Sequence, residues 1–224
     1  MIISLSIQNS YKTLEISLYK DENIIDSITE PNIRTSKELI PLINDILQKN
    51  NFTLANLSFI AINQGPGAFI TLRVLIATVN GISFASKVPL IGIDGLEATL
   101  LEYENSKFPI NIVLLNAFNN EVYYAIKKDD TITKGYKDIK ELLQELSNIK
   151  QNMFFVGNGA ELFKKEITDT LANLAHFPQE IPETCSSKQV GLMALEKFNT
   201  KKEISNQLMP LYLKSLTYKK SIIQ

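Results

Sequence analysis

Histidine and cysteine are nearly missing. The 224-residue chain has one of each, His176 and Cys185. A lone cysteine forms no disulfide within the chain, so a reduced compartment is the simplest setting. A lone histidine excludes a zinc or iron site built on paired histidines, and it leaves a cysteine nucleophile without an orienting partner. Carboxylates would have to supply every metal ligand, and no clustered Asp-x-Asp pattern is present. A dominant charge is missing too. Lys and Arg total 23 against 24 Asp and Glu, a net charge of −1, so no overall field draws the chain to nucleic acid or an anionic membrane. No apolar run reaches the ~20 residues of a bilayer span. The start, "MIISLSIQNSYK", lacks the basic segment and long apolar run of a secretory signal. These absences predict a soluble, cytoplasmic protein that does not engage a membrane.

What is present is ordinary globular material, 45% hydrophobic, in a length that suits one large domain or two small lobes. "IISLSI" and "TLEISLY" read as a strand hairpin, with "IIDSITE" as a third strand. Thr35 or Ser36 is a good N-cap for an amphipathic helix that places Leu39, Ile40, Ile43, Ile46 and Leu47 on one face. "LSFIAIN" is a strand of the buried type, "PLIGI" another, and "DGLEATLLEYE" a helix. A second set begins near Phe108. "INIVLLNA" and "EVYYAIKK" form a hairpin around "FNN". "KDIKELLQELSNI" is a helix, "NMFFVGNGA" a strand ending in a glycine turn, and "AELFKKEITDTLANL" the helix after it. "SSKQVGLMALEKFN" is a helix capped by Ser186 or Ser187. The order repeats roughly, which predicts two related α/β lobes, residues 1–105 and 106–224.

The segment "NQGPGAFITLRVLIATVNGISFASKVPLIGID", Asn63 to Asp94, holds the main question. Its helix, Thr71 to Ala85, places Leu72, Leu75, Ile76, Val79 and Ile82 on one wide apolar face. The opposite side carries Ala77, Gly81 and Ala85 at spacing four, with Val74 beside them, where a surface helix should show charge. Small side chains let another backbone approach closely. Cover by another part of the chain and cover by a partner stand equal on spacing alone. The turn before the helix, Gly65-Pro66-Gly67, could cradle a phosphate, but Pro66 lacks an N–H and neither a P-loop nor a G-x-G-x-x-G pattern is present. A tight strand-to-helix turn is the blander reading.

Other residues give less. His176 sits at a helix-to-loop exit and reads as a surface or capping residue. Cys185, in the loop "PETCSSK", has no base beside it in sequence. Tyr212, Lys214, Lys219 and Lys220 make a basic tail, solvated by default. Glu121 and Tyr123 fit a strand edge, and Gly157 and Gly159 a tight turn.

Together these residues resemble a known family. "GPGAFITLRVLIATVNGISFASKVPLIGIDGLEA" resembles the "GPGSFTGLRIGI…GLA…PLIGVSTLEA" segment of the TsaB family of tRNA threonylcarbamoyladenosine biosynthesis proteins. "SKELIPLINDIL", "LLNAFNNEVYYAI", "FFVGNGAELF" and "LMPLYLKSLTYKK" match further landmarks in the right order along nearly the whole chain. The resemblance implies an α/β fold of two RNase H-like lobes of the actin/Hsp70/sugar-kinase (ASKHA) type, with mixed sheets flanked by helices. It implies no active site and no cofactor of its own. It implies partnership with a TsaD-like transferase and a TsaE-like ATPase, with tRNA reached through the complex. Any nucleotide would lie at the interface with the transferase, and a homodimer would form when the partner is absent. The pairing helices correspond to Ser36–Lys49 and Thr71–Ala85, with Leu39, Ile43, Val74, Ala77, Thr78, Gly81 and Ala85 as the expected interface.

This chain departs from the family pattern in several places. The early "DT" pair is Gln8 and Asn9, poor magnesium ligands. The Ser and Thr of "GSFTG" are Ala68 and Ile70, its glycines are Thr71 and Leu75, and "DAR" is Asn116, Ala117 and Phe118. Each change removes a charge, a hydroxyl or a close backbone approach. The competing readings are a nucleotide-dependent transferase or kinase with Gly65, Gly67 and Gly157 around phosphates, and a peptidase-like homologue, for which no nucleophile–base pair is found.

Overall fold

The computed structural model describes residues 1–31 and 35–213, and only the backbone of Thr35 and Ser36. The N-cap expected at Thr35 or Ser36 and the tail residues Lys214, Lys219 and Lys220 therefore lie outside the described residues or side chains.

The first sheet begins with β1 (Ile3–Asn9), β2 (Thr13–Lys20) and β3 (Asn23–Pro31), an antiparallel meander. The chain then runs through α1 (Thr35–Lys49) into β4 (Phe59–Gly65), which lies parallel to β1. After α2 (Phe69–Ser86) comes β5 (Leu90–Asp94), parallel to β4, and then α3 (Gly95–Tyr103). β1 is buried on both faces, and its alternation divides the labour. Ile3, Leu5 and Ile7 join the core under α1 and α2. Ser4 and Ser6 point the other way, and their small size admits another helix.

The second sheet starts with the hairpin β6 (Ile110–Asn116) and β7 (Glu121–Lys128), followed by β8 (Thr131–Asp138). α4 (Ile139–Ser147) is capped by Asp138, whose carboxylate accepts from the Lys140 and Glu141 amides. β9 (Met153–Val156) returns parallel to β6. The single helix expected after it is broken at Phe163 into α5 (Asn158–Leu162) and α6 (Lys164–Leu171), and β10 (Ala175–His176) pairs with β9. β8 was not anticipated: "TITKGYKD" is polar and half exposed, so no apolar alternation marks it. It makes β7 an internal strand, so Glu121 and Tyr123 do not lie on a sheet edge.

The chain then goes back. α7 (Ser187–Asn199) and β11 (Ile204–Ser205) belong to the first sheet, whose order is β11-β5-β4-β1-β2-β3. Val190, Ala194 and Leu195 pack on Phe59, Ala61, Ile91 and Ile93, and Ile204 pairs with Ile91. The expected division at residue 105/106 therefore fails for the end of the chain. An apolar helix stripe says that a helix packs, not on which sheet, and Ser6 on β1 selects α7 by donating to the Ser187 carbonyl at 2.7 Å. α3 joins the two sheets. Ala98 faces the first sheet's core, while Leu96 and Leu100 face Val113, Leu115 and Phe154 of the second.

Candidate functional site

α2 has two unlike faces. Leu72, Leu75, Ile76 and Val79 are buried against the first sheet, with Ile82 packed beside them. The helix ends where Lys87 takes a left-handed conformation and its N–H bonds the Ser83 carbonyl. The opposite face is open. Ala77, Gly81 and Ala85 are exposed, and Val74 and Thr78 half-buried. A Cβ placed on Gly81 would meet nothing within 4 Å. Thr78 donates its hydroxyl to the Val74 carbonyl at 2.8 Å, so its polar group is satisfied within the helix and an apolar neighbour could cover it without stranding a donor. Two large side chains bound this small-residue floor: Ile70 is 76% exposed and Phe84 79%. Sequence reasoning did not single them out for this face, yet Ile70, Ala77 and Phe84 recur at spacing seven, two helical turns apart on one face. The result is a saddle, low at Ala77 and Gly81 and raised at both ends, which fits the ridge of a crossing helix.

The two flanks of the saddle differ. On one side Ile40 of α1 is 59% exposed, and a groove of about 450 Å³ opens beside Ile82, lined by Ile40, Phe52 and Leu54 among others. The expected interface residues Leu39 and Ile43 are a correction. They are 1% and 3% exposed and point into the core beneath α1. The apolar stripe of α1 is consumed by its own sheet, so only the outer residues of that helix can meet another molecule. On the other side an extended strap, residues 206–213, runs antiparallel to α2. Asn80 donates to the Leu208 carbonyl and accepts from the Leu208 amide, both at 2.9 Å. Ser83 donates to the Asn206 carbonyl at 3.2 Å. The Arg73 guanidinium lies 3.7 Å over the Phe69 ring and donates through Nε to the Tyr212 hydroxyl at 2.8 Å. These contacts engage Arg73, Asn80 and Ser83 of α2.

By length and composition α2 could cross a membrane, contrary to the expectation that no stretch qualifies: its 18 residues have a mean hydropathy of 1.5. Its buried stripe is seated in this lobe's own sheet.

The glycine turns hold their own chain. The concavity around Asn9, Asn63 and the Gly65-Pro66-Gly67 turn is shallow, enclosing about 10 Å³, the space of about one water. At the second turn the Gly157 and Asn158 amides donate to the carbonyls of Pro182 and Glu183 at 3.0 and 2.9 Å. Gly157 has φ +99°, and a Cβ there would stand 2.3 Å from the Leu114 carbonyl oxygen. Gln8 and Asn9 bury neutral amides for which no partner is found among the described residues, a smaller cost than an unpaired carboxylate there. Cys185 is buried, and burial pushes its thiol up to about 12, so it is no nucleophile at neutral pH. The His176 ring lies tilted against Phe108 with centroids 4.6 Å apart.

Comparison with known proteins agrees with this architecture. Residues 30–220 match the family model described as TsaD: tRNA N6-adenosine threonylcarbamoyltransferase. A tRNA threonylcarbamoyladenosine biosynthesis protein TsaB from Buchnera aphidicola (subspecies Baizongia pistaciae) is 26% identical over 189 residues, 78% of this chain and 81% of that one. The crystal structure of a Pseudomonas aeruginosa protein, described as similar to peptidase YeaZ, superposes with a TM-score of 0.77 at 18% identity, covering 96% of this chain and all of that one. An Arthrobacter polyphosphate/ATP-glucomannokinase shares the fold at a TM-score of 0.51 and 9% identity, covering 88% of this chain and all of that one. The chain belongs to the TsaD family, tRNA N6-adenosine threonylcarbamoyltransferase, among its TsaB/YeaZ-like members, and has their two-sheet ASKHA fold.

Proposed function

We propose that this chain serves the formation of N6-threonylcarbamoyladenosine beside the anticodon of tRNAs reading ANN codons, as a docking partner and not as the catalyst. Its saddle on α2 receives the corresponding helix of a TsaD-like transferase, with the outer side of α1 alongside. A TsaE-like ATPase and the tRNA join through that complex. The same face supports a homodimer when the transferase is absent. The setting is the cytoplasm, and a nucleotide, if one takes part, lies at the shared interface.

The observation that carries this reading is the largely open apolar face of Ile70, Val74, Ala77, Gly81 and Phe84, charged only where the Lys87 ammonium lies 4.9 Å over the Phe84 ring, on a helix whose other side is already packed. Burying ~500 Å² of such surface at ~25 cal/mol/Å² gives on the order of ten kcal/mol before association costs, enough for a stable pair. The filled glycine turns favour a scaffold over a nucleotide-using enzyme. A tRNA-modification assay with the cognate transferase and ATPase tests the reading. Wild-type chain should raise modification severalfold over its omission, and Gly81→Arg should not. Modification by this chain without the transferase, or full rescue by Gly81→Arg, would contradict it.

A further inference from the structure

Four segments that approach one another at the ends of the two sheets close a ring of hydrogen bonds. Ser10, in the β1–β2 turn, donates its hydroxyl to the Glu183 carboxylate at 2.8 Å. The Glu183 carbonyl accepts from the Asn158 amide at 2.9 Å. The Asn158 side-chain oxygen accepts from the Asn116 amide at 2.9 Å, and the Asn116 carbonyl accepts from the Tyr11 hydroxyl at 2.6 Å. Tyr11 follows Ser10, so the circuit is complete. Ser10 also accepts from the amides of Lys12 and Thr13 at 3.1 and 2.9 Å, which fixes the turn that carries both reaching side chains. The Tyr11 phenol is a hydrogen-bond donor at physiological pH in any case, and burial drives it further above its ordinary range. Its ring sits 6.4 Å from Phe118 in the β6–β7 turn.

The location matters. β1 and β6 both end here, and the carboxyl ends of strands are where open α/β sheets commonly take ligands. In this chain that place is crossed by the protein's own phenol. Beside the ring, α3 also ties the sheets: Leu96 and Leu100 pack on the second sheet, Thr99 accepts from the Cys185 amide at 2.8 Å, and Lys134 of β8 pairs with Asp94 and Glu97 at 2.7 and 3.1 Å.

We propose that the β1–β2 turn is a clasp: Ser10 and Tyr11 fasten the first sheet to the second across the mouth between them, and while it is closed the two sheets move as one body. This does not depend on the docking role of α2.

Amide exchange on the full chain tests it. Tyr11→Phe deletes one hydroxyl and keeps the ring, and Ser10→Ala removes the other tie. Each should speed exchange at Ala117, Glu121, Gly157 and Asn158 about tenfold or more, leaving α2 and β4 unchanged. The double variant should exceed either single one by less than the product of their factors, because one broken link opens the whole ring. Unchanged exchange in 116–121 and 157–158 would overturn the clasp, and so would equal acceleration at every amide, which reports general destabilisation. If Ser10→Ala fails to fold, Tyr11→Phe decides alone.

Discussion

Two glycines show how far apart the demands on one residue type can be. Gly157 combines a left-handed φ with a backbone oxygen where a Cβ would go. Gly157→Ala should destabilise by roughly 2 kcal/mol or more in denaturant unfolding. Gly81 sits mid-helix with open space around it. Gly81→Ala should stabilise by about 0.5–1 kcal/mol, because alanine is the better helix former and meets no obstacle. A stability cost that has not been removed at an unobstructed position is what a docking surface requiring close approach would keep. Three weakly acidic side chains, wholly or partly buried, give a pH signature. The Cys185 thiol is raised from 9.0 to about 12, and the Tyr19 and Tyr103 phenols from 10.0 to about 12, in each case first by burial. The unfolded chain ionises these groups first, so their contribution is whole below about pH 9 and is lost as pH climbs toward 12. Thermal unfolding should therefore show a falling alkaline limb over that window, and iodoacetamide should label Cys185 only after unfolding.

Among the elements, α2 was the most legible, since both its apolar face and its small-residue side follow from 3.6-residue spacing. Its bounds shifted by only a residue or two, to Phe69–Ser86. What spacing did not reveal was the relief, because Ile70 and Phe84 gain meaning only once the residues between them are seen to be small and uncovered. α1 shows the opposite limit. Its stripe is amphipathic except for Ile40, which is exposed, and an amphipathic stripe normally faces its own core, as Leu39 and Ile43 do. β8 and the break at Phe163 were hidden for separate reasons: the strand is polar, and the apolar residues run on across the break. The strap was invisible because Asn80 and Ser83 of α2 hold it largely through its backbone, which no sequence pattern marks. Asn80→Ala should free Leu208 from both of its bonds and cost about 1–2 kcal/mol, with amide exchange at Leu208 rising first.

At the scale of the molecule, the two-lobe α/β plan was readable from the recurring order of strands and helices, and the family from motifs spread along the chain. The return of α7 and β11 to the first sheet was not, because no local pattern states which of two apolar sheet faces a late helix will cover. The return has a consequence for the surface. It covers the inner face of the first sheet and leads the chain back along α2, so α2 is held from below by the sheet and from one side by the strap. The saddle is therefore a preformed surface on a supported helix, which lowers the ordering cost of association. Calorimetric titration of the cognate TsaD-like protein tests this most directly. Wild-type chain should form a saturable complex, Gly81→Arg none detectable, and the two chains should unfold at midpoints within a few degrees of each other. Undiminished affinity in a folded Gly81→Arg chain would contradict it.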